Sequence, residues 1–135
     1  MSTLLENKTI MVVEDDADTR EILRVALEVA GANVVTAHSV DEAFKTYRQA
    51  PPHAVVADIR LGMSDGYALI KTIQETDAEY RGKTPVIAVT GFASPEDEQR
   101  AMAAGFNFYI TKPFDPADVV AAITKLLNLS DDTVA

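Results

Sequence analysis

The chain has 135 residues, 47% of them apolar, a length and composition that suit one domain with one buried core. Its formal net charge of −9 argues against an electrostatic footprint for nucleic acid or an anionic membrane, which both require clustered Lys and Arg, and points to cations and basic protein surfaces as partners. Disulfides and thiolate zinc sites are excluded because cysteine is absent, and the first residues, Met1 to Lys8, carry neither a signal-peptide core nor a membrane span, so a cytoplasmic location is expected.

Short β-branched runs alternate with longer segments of helical period, which predicts five strands and five helices in a repeating βα order. The first strand is Thr9–Val13, and its run Ile10-Met11-Val12-Val13 is continuously apolar, as in a strand covered by helices on both faces. Glu14-Asp15-Asp16 follows, where Asp16 or Asp18 can cap the first helix. Gly31 allows that helix to end, and Asn33–Ala37 is the second strand. Ser39-Val40-Asp41-Glu42 reads as a capping box opening the second helix, which Pro51-Pro52 prevents from continuing.

Ala54–Asp58 and Pro85–Thr90 are the third and fourth strands, again with unbroken apolar runs, and Gly82 can end the helix between them. Ser94-Pro95 and Asp115-Pro116 each place a capping side chain before a proline at the first helical position. Gly105 ends the former helix and Phe106–Ile110 is the fifth strand. Residues 1–135 are expected to form a single domain, with a core from about 8 to 127 and a polar tail over 128–135 that frays.

The pattern favours an α/β fold, a doubly wound parallel sheet with helices on both faces, whose ligands bind along the edge where the strands end. Glu14-Asp15-Asp16, Asp58, Thr90-Gly91 and Lys112-Pro113 sit at or just after four of those ends. If the strand order is 2-1-3-4-5, the first and third strands are neighbours and Glu14 and Asp15 come close to Asp58. Carboxylates so crowded repel one another, and Mg²⁺ suits a site of a few carboxylates, a backbone carbonyl and retained waters. Asp15 and Asp58 are expected to bind it directly and Glu14 through water.

A carboxylate can attack phosphorus to give an acyl phosphate, with the metal holding phosphoryl oxygens and offsetting the nucleophile's charge. Lys112 adds positive charge on the far side, Thr90 can donate to a phosphoryl oxygen, and Gly91 leaves room beside it. Together these residues suit phosphoryl transfer, in which positioning and charge stabilisation supply most of the catalysis.

In order along the chain, Val12-Val13-Glu14-Asp15-Asp16, Ala57-Asp58, Val89-Thr90-Gly91 and Ile110-Thr111-Lys112-Pro113-Phe114 resemble the motifs of response-regulator receiver domains, over roughly Lys8 to Leu127. The resemblance implies a flavodoxin-like sheet of order 2-1-3-4-5. It implies Asp58 as phosphoacceptor, Glu14 and Asp15 as the acidic metal pair, the Arg60 carbonyl as a further Mg²⁺ ligand, Thr90 as switch hydroxyl, Lys112 as the phosphoryl-binding lysine and Tyr109 as the aromatic switch. A cis Lys112–Pro113 bond is also implied. A sensor histidine kinase or histidine phosphotransfer protein would then be the donor, and a further protein the target of the phosphorylated form. The resemblance leaves homodimerisation and the identity of the target open.

Two departures stand out. Gly62 occupies a position where receivers usually have proline, which suggests a more mobile loop. Arg60 and Phe92 fill the two variable positions that in receivers tune phosphate loss, and their bulk is expected to hinder attacking water.

Taken singly, several signals have plainer readings. Glu14-Asp15-Asp16 suits a solvated capping turn, Lys112 an exposed lysine and Tyr109 an ordinary half-buried aromatic, while His38 and His53 have no ligand spacing and receive no role. Other functions fit less well. A haloacid-dehalogenase-like phosphatase would need the first aspartate of Asp16-Ala17-Asp18-Thr19 directly after the strand and Thr or Val where Arg20 stands. A flavodoxin-like cofactor binder would need a phosphate loop where three acids stand. A phosphorylation-independent interaction module is the remaining alternative. The leading expectation is a signalling switch that phosphorylates itself and slowly loses the phosphate, and is not otherwise an enzyme.

Overall fold

The computed structural model describes residues 4–61, 64–80, 84–91 and 94–127. In chain order its main elements are β1 (Thr9–Val13), α1 (Ala17–Val29), β2 (Asn33–Ala37), α2 (Val40–Gln49), β3 (Ala54–Ala57), α3 (Gly66–Tyr80), β4 (Val86–Thr90), α4 (Pro95–Ala104), β5 (Phe108–Thr111) and α5 (Pro116–Leu126). Arg60–Leu61 and Ser64–Asp65 form a small antiparallel ladder between β3 and α3. The five main strands are all parallel in the order 2-1-3-4-5, the doubly wound arrangement expected.

The unbroken apolar runs follow from this topology. Side chains alternate across a strand, so a strand with helices on both sides must be apolar at every position. Met11, Val13, Val55, Ala57, Val86 and Ala88 face a core shared with α2, α3 and α4, where Tyr47, Leu69, Ile70 and Ile73 are buried. Ile10, Val12, Val56, Ile87 and Val89 face the opposite core, closed by Leu23 and Leu27 of α1 and Val119 and Ile123 of α5. Each large aliphatic side chain buried here stabilises the fold by about 2 kcal/mol relative to exposure. β2 and β5 are edge strands and more exposed, with Phe108 at 39%.

β1 and β2 have the predicted limits, and the other three strands shift, β5 at both ends. Asp58 lies one residue past β3, although its N–H still donates to Val13 O at 3.1 Å. Pro85 precedes β4 and contributes only a carbonyl, which accepts from Val55. Phe106 is no part of β5: its N–H donates to Ala101 O, closing the end of α4 after Gly105 turns the chain at φ 116°. Asn107 then caps the start of β4, with Oδ1 accepting from Val86 N at 2.8 Å.

Helix starts follow the predicted caps with one correction. Asp16, Ser39, Ser94 and Asp115 are the N-caps of α1, α2, α4 and α5. Ser39 accepts from Glu42 N, but the Glu42 carboxylate reaches past Ser39 to His38 N at 2.6 Å, so the expected box is not reciprocal. The reciprocal box is at Ser94 and Asp97. Gly62, Gly82, Phe92 and the tail 128–135 lie outside the described residues. Among the described residues no helix is long and apolar enough to cross a membrane.

Candidate functional site

Because the strands are parallel, their carboxyl ends meet along one edge of the sheet. Glu14 leaves β1 almost completely buried, its N–H donating to Ala37 O at 3.0 Å while Oε2 accepts from Asp16 N at 3.2 Å. Asp15 is exposed beside it. Asp16 turns the chain into α1, its Oδ2 accepting from Thr19 N at 2.9 Å and Thr19 Oγ1 at 2.6 Å. Those bonds, the side-chain one foremost, hold the Asp16 carboxyl below its ordinary value.

Asp58 follows β3 and is 7% exposed. Its Oδ1 accepts from Arg60 N at 3.1 Å and its Oδ2 pairs with Lys112 Nζ at 2.7 Å. The same ammonium lies 3.0 Å from Glu14 Oε1, so Lys112 bridges two acids carried by neighbouring strands. Lys112 is fixed just past β5 by its N–H, which donates to Thr90 O at 2.8 Å, and the Lys112–Pro113 bond is cis, as the resemblance implies.

The charges are only partly balanced. Burial drives the Glu14 carboxyl from 4.5 up to about 7, against hydrogen bonds from Lys112 and the Asp16 amide, and the Asp58 charge adds to the rise. Burial also opposes the charge on Lys112, yet its bonds to Asp58 and Glu14 outweigh that and hold the ammonium above its ordinary value. One oxygen from each of Glu14, Asp15 and Asp58 can be chosen so that all three lie within 4.8 Å of one another.

Glu14, Asp15, Asp58, Arg60, Thr90 and Lys112 line a single open cleft of about 460 Å³ with Asp16 and Gly91. The arrangement joins a buried carboxylate paired with a lysine ammonium, a hard-oxygen cluster and a threonine in one cleft. Tyr109 does not line this cleft. It is half-buried at the margin of the α2–α4 core and lines a separate groove beside α5, where burial, then the nearby Asp97 charge, raises its phenol pKa. His53 Nδ1 accepts from Thr9 N at 3.0 Å and exposed His38 pairs with Glu42, in keeping with surface histidines.

Two features escaped sequence reasoning. Arg20 reaches back from the first turn of α1, and its Nη1 donates to Glu14 O at 2.9 Å. A basic residue six positions after a strand-end acid is the only trace of this in the sequence, and it is a weak one. Away from the cleft, buried Asp77 accepts from the Tyr47 hydroxyl, from Thr84 N at 2.6 Å and from Thr84 Oγ1 at 3.1 Å, tying α2 and α3 to the approach to β4.

The family model of the response regulator receiver domain matches residues 10–124. An uncharacterized 14.6 kDa protein of Leptolyngbya boryana, from the sodA1 3′ region, is 40% identical over 124 residues, which are 91% of this chain and 92% of that one. The transcriptional regulatory protein PrrA of Mycobacterium tuberculosis is 29% identical over 98% of this chain, which spans only 55% of PrrA. Among solved structures, a CheY-like response regulator receiver domain protein of Methanospirillum hungatei superposes with a TM-score of 0.80 at 27% identity, covering 90% of this chain and 94% of that one. This chain belongs to the receiver-domain family of two-component response regulators, whose members are signalling switches rather than classical enzymes.

Proposed function

We propose that Asp58 accepts a phosphoryl group from a phosphohistidine, carried by a sensor histidine kinase or histidine phosphotransfer protein, in a Mg²⁺-dependent reaction. One observation carries the reading: Lys112 Nζ bridges buried Asp58 and Glu14, at 2.7 and 3.0 Å, in a cleft that Thr90 also lines. A purely structural ion pair needs one carboxylate; here one ammonium faces two, and exposed Asp15 adds a third carboxylate to their cluster.

The donor set fits Mg²⁺, since it consists of carboxylate oxygens close together, and burial raises the Glu14 carboxyl even with Lys112 beside it. Asp15 and Asp58 would hold the ion directly, Glu14 through water and Arg60 through its carbonyl. When bound, the ion offsets the acids' repulsion and draws charge from the phosphoryl oxygens.

An Asp58 carboxylate oxygen attacks phosphorus; a P–O bond forms, the P–N bond to the donor imidazole breaks, and the leaving imidazole regains a proton from solvent. The Arg60 N–H on Oδ1 and the Lys112 ammonium on Oδ2 hold the carboxylate in place beforehand. As charge passes to the phosphoryl oxygens, Lys112 follows it and the Thr90 hydroxyl donates to one of them. Thr90 and Tyr109 then move inward and change the face formed by α4, β5 and α5, which biases a two-state equilibrium towards a new protein partner. Hydrolysis of the acyl phosphate resets the switch, hindered by Arg60 at the cleft, and no separate substrate is turned over.

Intact mass after incubation with acetyl phosphate tests the reading. One phosphoryl adduct is expected with Mg²⁺, and none with EDTA or in Asp58→Asn. A folded wild-type protein that binds Mg²⁺ yet forms no adduct, even with a phosphorylated histidine phosphotransfer protein as donor, would overturn it in favour of a phosphorylation-independent interaction module.

A further inference from the structure

We propose that Arg20 is a positioning residue for the acidic pair: its guanidinium clamps the peptide that joins Glu14 to Asp15 and so sets where both carboxylates stand. The proposal deepens the reading of the cleft as a Mg²⁺ site and rests on it for its consequence, though not for its geometry.

The chain leaves the sheet at this peptide. Val13 O is still taken by Asp58 N of the neighbouring strand, and Glu14 N still donates to Ala37 O. The Glu14 carbonyl is turned to α1, where Arg20 Nη1 meets it at 2.9 Å. Glu14 is only 1% exposed, so losing this donor would leave its carbonyl short of a partner in poorly hydrated surroundings.

Arg20 is itself well anchored. Its N–H donates to Asp16 O at 2.9 Å, and Asp16 accepts from Thr19 N at 2.9 Å while donating its own N–H to Glu14 Oε2. The side chain therefore closes a hydrogen-bonded ring from Glu14 through the helix cap and back. Within that ring the Glu14–Asp15 peptide is gripped at its carbonyl, so the backbone that carries both acids cannot reorient without breaking the Arg20 bond.

Charge makes the proposal decidable, because positioning and bare electrostatics predict opposite signs. A guanidinium near a divalent-cation site repels the ion, so an Arg20 acting only through its charge would weaken Mg²⁺ binding, and its removal would tighten binding roughly two-fold. An Arg20 that holds the ligands in place strengthens binding, and loss of such outer contacts typically weakens metal affinity by ~10-fold or more.

The test is calorimetric titration of the whole chain with MgCl₂, for wild type, Arg20→Ala and Arg20→Lys, with melting curves to establish folding. Arg20→Ala is expected to bind ~10-fold more weakly, and Arg20→Lys, which keeps the charge and can still offer a donor, to recover part of the loss. Unchanged or tighter binding by Arg20→Ala overturns the proposal, as does a Lys variant no better than Ala. The carbonyl ¹³C resonance of Glu14 without metal supplies the second measurement: it shifts in Arg20→Ala if the clamp exists and stays put if it does not. Wild type that binds no Mg²⁺ sinks the metal reading alone, and the carbonyl resonance then decides the clamp. Should Arg20→Ala fail to fold, the same two readouts on Arg20→Met, which keeps the aliphatic stem but offers no donor, decide, with a Mg²⁺ affinity and a Glu14 resonance both unchanged counting against the clamp.

Discussion

Replacing Asp77 by alanine removes an acceptor from the middle of a buried polar network. Asp77 is 5% exposed and takes hydrogen bonds from the Tyr47 hydroxyl, Thr84 N and Thr84 Oγ1. The two hydroxyls lie 2.9 Å apart and in the alanine protein one can turn its proton to the other, so the main loss falls on the Thr84 amide, left buried without its partner. An orphaned amide costs about 1–3 kcal/mol and the lost charge-assisted bonds a similar amount, partly offset because no carboxylate is buried any longer. A net loss of about 3 kcal/mol results. With an unfolding entropy near ~2.1 cal/mol/K per residue, that lowers Tm by about 10 °C for a domain of this length. Asp77→Asn, which keeps one acceptor oxygen, falls between the two. Thermal and urea unfolding followed by circular dichroism measure this directly, and an Asp77→Ala protein that melts within about 3 °C of wild type would refute the reasoning.

Three further predictions concern the cleft. Folded Glu14 keeps its proton up to about pH 7 whereas the unfolded chain releases it near 4.5, so between these values the folded state binds more protons and its metal-free stability falls as pH rises. Urea midpoints in EDTA across that range should decline for wild type relative to Glu14→Gln, and parallel profiles would contradict the assignment. Lys112→Met removes the cation facing Asp58 and Glu14, and should slow phosphorylation by acetyl phosphate by about 100-fold while the protein stays folded; a rate within a few-fold of wild type would exclude Lys112 from the chemistry. Glycine substitutions should separate sharply: a Cβ at Gly66 would meet Asp58 O at 2.7 Å and Ile59 Cα at 3.1 Å, both backbone, whereas one at Gly91 meets nothing within 4 Å. Gly66→Ala should therefore lose about 1–3 kcal/mol and Gly91→Ala very little, which melting curves of the two will show.

The sheet and its order were legible because a parallel, doubly covered sheet demands apolar strands, and those strands are short, β-branched and well separated. The fifth strand starts two residues later than its composition suggests, for a physical reason. Phe106 is as apolar as a strand residue, but it serves the turn that ends α4 after Gly105, and composition does not distinguish these roles. Site residues on strand ends were legible for the same topological reason, since parallel strands deliver their ends to one edge. Contacts made by long side chains were not. Neither the reach of Arg20 to Glu14 O nor the double pairing of Lys112 is encoded in local spacing, and Asp77 meets Tyr47 from thirty positions away. Tyr109, three residues before Lys112, lines the groove beside α5 and not the cleft.

Chemical trapping of the phosphorylated protein tests the central claim most directly. Borohydride reduces an acyl phosphate to an alcohol, so an aspartate carrying phosphate becomes homoserine, which peptide mass spectrometry locates to a residue. After phosphorylation with Mg²⁺, homoserine is predicted at position 58 and at no other acid. Conversion at Glu14, Asp15 or Asp16 instead, or a phosphorylated protein that yields no reduced residue, would contradict the assignment of Asp58 as the phosphoacceptor.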